Sequence, residues 1–148
     1  MPVSFKEYTI REYTNGSIHW FFNGRLHREN GPAVERWGGD KHWYLNGDLH
    51  REDGPAMEYA DGNKHWYLNG EFHREDGPAC EYADGEKYWY LNGKRHREDG
   101  PAIEFIDGYK EWFLNGMHLT EEQHRQQTQS CTGKVVEIDG KNYVLTEV

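Results

Sequence analysis

One unit of 23 residues recurs along this chain without an insertion, and that periodicity constrains the fold more than any other feature. The block His27-Arg28-Glu29-Asn30-Gly31-Pro32-Ala33 returns at His50, His73 and His96, each time as HREDGPA. A second block keeps the same step: WFFNG at Trp20, WYLNG at Trp43, Trp66 and Trp89, and WFLNG at Trp112. The register holds from Glu12 to Gly116. A unit this short cannot enclose a core alone, so it must bury its apolar residues against its neighbours in a stacked array.

Each unit carries two turn signals. One is Asn-Gly at Asn23, Asn46, Asn69, Asn92 and Asn115; the other is Asn15-Gly16, Gly38-Gly39, Asp61-Gly62, Asp84-Gly85 and Asp107-Gly108. Both suit two-residue type I′ hairpin turns, which need positive φ at their central positions. Between them lie short runs rich in Tyr, Trp and Phe, which favour strands. One unit therefore reads as strand, Asp-Gly turn, strand, Asn-Gly turn and a third, shorter strand. That last strand ends at the corner before Pro32, Pro55, Pro78 or Pro101, because proline has no donor for a ladder. The expected fold class is an all-β repeat: tandem hairpins in one elongated, twisted antiparallel sheet. Residues 1–11 are expected to form an N-terminal strand or cap, 12–117 the array, and 118–148 a C-terminal cap.

Two-residue loops at both turns predict a register. Glu58 would face His65 and Met57 would face Trp66, while Tyr67 would face Phe72 and Trp66 His73. One side of the sheet would then gather Met57, Tyr59, Trp66, Leu68 and His73. The other would gather Ala56, Glu58, His65, Tyr67, Phe72 and Arg74. The column through Met57 is apolar (Val34, Cys80, Ile103), so the first side is the expected core and Cys80 an inert buried thiol. The second side offers a candidate partner-binding face: Tyr44, Tyr67 and Tyr90, the acids Glu35, Glu58 and Glu81, and His42 and His65. His42 and His65 stand in the column that varies most between units.

The chain carries a formal net charge of -9 and a mean hydropathy of -1.08, with aromatics at 15%. Those aromatics separate it from disordered chains of similar polarity. The acidic balance argues against direct binding to nucleic acid or anionic membranes, since both need Lys and Arg. The opening MPVSFKEYTI has no apolar run fit for a signal peptide, and two cysteines make no disulfide framework, so a cytoplasmic location is expected.

The His-Arg-Glu-Asp block holds the residue types of an active site. Its copying argues for a structural corner, because an active site is usually one asymmetric constellation. His50, Arg51 and Asp53, with His73, Arg74 and Asp76 and with His96, Arg97 and Asp99, are therefore expected to be turn residues. The Asp carboxylates would accept backbone N–H bonds. Histidines at 23-residue intervals would stand too far apart to share a zinc ion. No phosphate loop or nucleophile signature is present. No catalysis, cofactor or metal is expected.

The string EYADGNKHWYLNGEFHREDGPA resembles the MORN repeat. Both have a period near 23, an Ala-Asp-Gly turn, an aromatic strand, an Asn-Gly turn and then a His. The resemblance covers about Glu12 to Met117. Where MORN has His-Gly after the second strand, His-Arg-Glu-Asp-Gly-Pro-Ala stands here. Units of this kind look like those of uncharacterised proteins in tailed phages and large DNA viruses. The resemblance implies hairpins stacked into one elongated sheet, and protein–protein contact or dimerisation as the role.

After Met117 the repeat fails. Thr120-Glu121-Glu122-Gln123 fits a capping box opening a helix over about 121–129. Cys131-Thr132-Gly133 would end it, and KVVEIDGKNYVLTEV reads as a final hairpin around Asp139-Gly140. The expected function is a non-catalytic scaffold for a protein partner, of the kind a phage would use to occlude a host defence factor by acidic mimicry. The alternatives are a nucleotide binder, with Tyr67 and Phe72 stacking a base beside Arg74, and a virion component.

Overall fold

The structure is a computed structural model that describes residues 7–129, 135–138 and 141–144. It is one long antiparallel sheet of 12 strands with smaller hairpins along its side and a short C-terminal helix. The sheet path repeats. Met57–Glu58 pairs with Lys64–His65, which pairs with Cys80–Glu81 of the next unit, which pairs with Lys87–Tyr88. Each unit thus adds two strands. No helix among the described residues is long and apolar enough to cross a membrane.

The Asn-Gly turns form as the sequence predicts. Asn69 has φ 52° and Gly70 φ 82°, and Tyr67 faces Phe72 across the two-residue loop. The Asp-Gly turns do not. Met57 faces His65 and Glu58 faces Lys64, and Tyr59 N–H donates to Asn63 O at 3.0 Å, so the loop is Ala60-Asp61-Gly62. Gly62 has φ 96° whereas Asp61 is not in the left-handed region. This is the three-residue hairpin, a type I turn closed by one left-handed glycine. Asp61 Oδ1 accepts the Asn63 N–H at 3.0 Å, a local bond that favours this three-residue turn.

The extra loop residue shifts the register by one, and a one-residue slip reassigns every facing pair. Met57, Tyr59, His65, Tyr67 and Phe72 now share a side. His65 makes edge-to-face contacts with Tyr59 (5.2 Å) and Tyr82 (5.4 Å) and also touches Phe72, which packs on Tyr67 and Tyr90. The Trp column leaves this row and takes up the arginines described below. The expected core side, with Trp66 beside Met57, is therefore corrected. So is the Ala column: Ala33, Ala56, Ala79 and Ala102 are completely buried rather than on an outer face.

The strand changes partner at its tryptophan. Trp66 N–H donates to Ala79 O at 2.8 Å, while Trp66 O accepts from His73 N–H at 3.1 Å. One residue is thus bonded to two positions of the returning chain, and Arg74 to Pro78 between them loop out. The same bonds recur at Trp20, Trp43 and Trp89.

Cys80 is buried in the apolar column, and burial pushes its thiol up to about 12. A thiol held that high has almost no nucleophilic thiolate near neutrality. A Cys131→Ser chain should therefore resist alkylation by iodoacetamide at pH 8 until it is unfolded. Labelling of the folded chain at the rate of free cysteine would contradict the burial.

At the C-terminal end the helix Glu121–Thr128 begins at Thr120, whose hydroxyl accepts the Gln123 N–H while the Gln123 side chain accepts the Thr120 N–H. The capping box read from the sequence is present. The helix packs on strands Lys110–Leu114 and Met117–Leu119, and buried His124 places Nε2 2.6 Å from the carbonyl oxygen of Arg97. Val135–Ile138 and Lys141–Val144 pair as the final hairpin, Ile138 facing Lys141. Cys131-Thr132-Gly133 and Asp139-Gly140 lie outside the described residues.

Candidate functional site

The looped-out segments decide what the surface offers. Each is held by its arginine. Arg74 Nη1 donates to Pro78 O (3.2 Å) and to Glu81 Oε1 (2.7 Å), and Nε donates to Asp76 Oδ1 (2.8 Å). The same guanidinium lies 4.0 Å from the ring centroid of Trp66. Arg51 repeats this with Asp53, Pro55, Glu58 and Trp43, and Arg97 with Asp99, Pro101, Glu104 and Trp89. The glycine in the clip follows from this packing: a Cβ on Gly77 would stand 2.9 Å from Arg74 Cζ.

Asp53, Asp76 and Asp99 were expected to cap backbone N–H groups; their principal partner is the arginine Nε. Those hydrogen bonds hold their carboxyls below the usual carboxylate value. The first copy, with Asn30 in place of Asp, keeps the Arg28 bonds to Pro32 O and Glu35 and the stack on Trp20.

The clip histidines join consecutive units. Asn69 N–H donates to His50 Nδ1 at 3.2 Å, and the same bond links Asn46 to His27, Asn92 to His73 and Asn115 to His96. Each histidine therefore fastens the Asn-Gly turn of the next unit. Sequence reasoning missed this, although the signal was there: His and Asn stand 19 residues apart every time.

Between consecutive clips lies an open notch. Trp43 and Leu45 floor the first, Trp66 and Leu68 the second, and Trp89 and Leu91 the third. Glu52, Asp53, Glu75, Asp76, Glu98 and Asp99 rim them, all at least 78% exposed. At Trp112 the C-terminal helix supplies Glu121, His124, Arg125 and Thr128 in place of a further clip.

The candidate face proposed from sequence is divided by the corrected register. Glu35, Glu58 and Glu81 bind Arg28, Arg51 and Arg74 on the clip side. Tyr44, Tyr67 and Tyr90 belong to the aromatic side and are half-buried. His42 is 3% exposed, and His65 is half-buried between tyrosines. Tyr67 and Phe72 pack directly on each other with centroids 4.2 Å apart, and Arg74 is committed to Trp66, so these three do not frame a base-and-phosphate cradle. Among the described residues no three of His, Cys, Asp and Glu are placed to hold a metal ion.

His42 and His65 make acid stability testable. Burial, the largest cause, holds both below the ordinary imidazole value; nearby Arg36 adds to the depression at His42 while Asp40 opposes it. An imidazole depressed in the folded chain binds its proton first in the unfolded one. Stability should therefore be level above about pH 7 and fall as pH drops below about 6.5. The Arg-held aspartates add their own loss only near pH 4 and below. Urea midpoints across pH 8 to 5 should decline for the native sequence and decline clearly less for a His42→Phe, His65→Phe chain, in which His19 keeps its burial-depressed imidazole. An equal decline in both would assign the acid sensitivity elsewhere.

No protein-family model matches the chain, and no curated protein matches it.

Proposed function

We propose that the chain is a non-catalytic scaffold that binds a protein partner through its clip side. The carrying observation is the row of three tryptophan-floored notches, each bordered by exposed carboxylates on rigidly bonded corners. Tryptophan is favoured in binding hot spots, and acids around it select a basic partner and speed encounter. Repetition of one geometry supports an extended contact rather than a reaction centre. The arginine of each clip, the residue best suited to chemistry on an anion, is spent on the corner itself. The likeness of the units to viral repeat proteins supports a specific role: an inhibitor laid over a host protein, its acids standing where a nucleic-acid backbone would.

Zero-length carbodiimide crosslinking of the full chain in host lysate tests this. Crosslinks should run from Glu52, Glu75 or Glu98 to lysines of one partner and fade with added salt. Absence of any salt-sensitive crosslinked partner would overturn the reading.

A further inference from the structure

We infer that the notches are a receptor for a basic segment in the polyproline II conformation, with Arg or Lys at every third residue. This deepens, and rests on, the scaffold reading above. Each unit adds two strands to the sheet, and strands lie about 4.8 Å apart, so successive notches repeat at about 9.6 Å. A polyproline II helix rises about 3.1 Å per residue with three residues per turn, so positions i, i+3 and i+6 recur along one edge every 9.3 Å or so. A β-strand covers a similar distance in three residues, but its side chains alternate, so i and i+3 point to opposite sides. An α-helix needs about six residues for the same rise. The same face of that helix returns only every seven residues, at about 10.5 Å, so an α-helix drifts out of step from notch to notch, and polyproline II is the regular conformation that matches the repeat most closely.

The chemistry of the notch agrees with the spacing. A cation descending between two clips meets Glu52 and Asp53 in the first notch, the acids of both flanking clips in the second, and Glu75, Glu98 and Asp99 in the third, while the clip arginines that also line the notches are each ion-paired with a strand glutamate. The prolines or other apolar residues between cations meet the edges of Trp and Leu. Aromatic-lined grooves suit polyproline II ligands because that helix is already ordered and loses little entropy on binding. Sheet twist turns each notch relative to the last by about twice 20–25°, which limits a straight ligand to a short segment. The helix at Trp112 ends the row, so the site holds about three cations, one per open notch.

The probe is a blocked (Arg-Pro-Pro)3 peptide, compared with an isomer that clusters its three arginines at one end. Length, charge and composition are then equal. Fluorescence anisotropy and quenching of the protein's tryptophans should show the periodic peptide binding at least about tenfold more tightly, with affinity rising from one to three repeats. The E52K/E75K/E98K chain should lose at least about tenfold. These side chains are 84%, 83% and 78% exposed, so its melting curve should match the native one. Equal affinity of the two isomers would reduce the contact to unspecific charge attraction and overturn the inference, as would unchanged binding by the triple variant. A crosslinked partner that (Arg-Pro-Pro)3 fails to displace would overturn this inference alone, whereas absence of any such partner overturns the scaffold reading.

Discussion

Arg74→Ala should lower stability by about 2 to 3 kcal/mol, and Arg74→Lys should recover less than half of that loss. The alanine removes charge-assisted hydrogen bonds to Asp76 and Glu81, a bond to Pro78 O and the stack on Trp66. The partly buried bond to Glu81 contributes about 1.5 to 3 kcal/mol, the solvent-exposed Asp76 pair adds little beside it, and bonds that share one group count for less than their sum. For 148 residues this is a fall in Tm of roughly 5 to 10 °C. Lysine carries the charge but not the planar fork, so it can reach one carboxylate and cannot stack the same way. The first unit supplies a control. Arg28 lies beside Asn30 rather than an aspartate, so Arg28→Ala should cost less than Arg74→Ala. Thermal melts of the three variants check this; a lysine variant as stable as the native chain would show that charge alone holds the clip.

Legibility of the fold followed the locality of each signal. The repeat, both turn positions, the Tyr67–Phe72 pairing and the helix with its capping box depend on neighbouring residues, and all could be read directly. The Asp-Gly loop failed because Asp-Gly serves two hairpin types, and only pairing partners distinguish them. That information was present in a second column. Lys41, Lys64, Lys87 and Lys110 recur at the same step as the glutamates. In the observed register Glu58 faces both Lys41 and Lys64, and Glu81 faces both Lys64 and Lys87. Opposite charges across strands are stabilising, whereas the two-residue loop would have set Glu58 against His65. Matching the Glu and Lys columns selects the three-residue loop. The candidate site suffered from the same slip, since Tyr67 and Glu58 share a face only in the wrong register. The notches were beyond reach for a different reason: they exist because five residues loop out at a tryptophan bonded twice, and no local motif announces that.

Ile103→Ala should be among the costliest single changes in the array, at roughly 2 to 5 kcal/mol. Ile103 is 1% exposed and packs with Ala102 and Phe113, against which Tyr88, Trp89 and Phe105 also lie. Tyr88 and Phe113 sit on paired strands, and Trp89 N–H is bonded to Ala102 O, so these neighbours cannot close over a missing side chain, and an unfilled cavity carries its own penalty. Met57 holds the same column two units earlier but is only half-buried, so Met57→Ala should cost less. Position matters as well as burial. Units in a stacked array contact only their neighbours, so damage spreads by way of adjoining interfaces. The strand Lys110–Leu114 pairs with Ile103–Glu104 and supports the C-terminal helix. Hydrogen exchange in Ile103→Ala should therefore accelerate most in that strand and in Glu121–Thr128, and least in the hairpin of Met57–Glu58 with Lys64–His65. Equal acceleration along the whole chain would mean that the units unfold as one block. A loss below about 1 kcal/mol would mean that the column through Val34, Met57, Cys80 and Ile103 is not the core, because a filled site of that size cannot be emptied so cheaply.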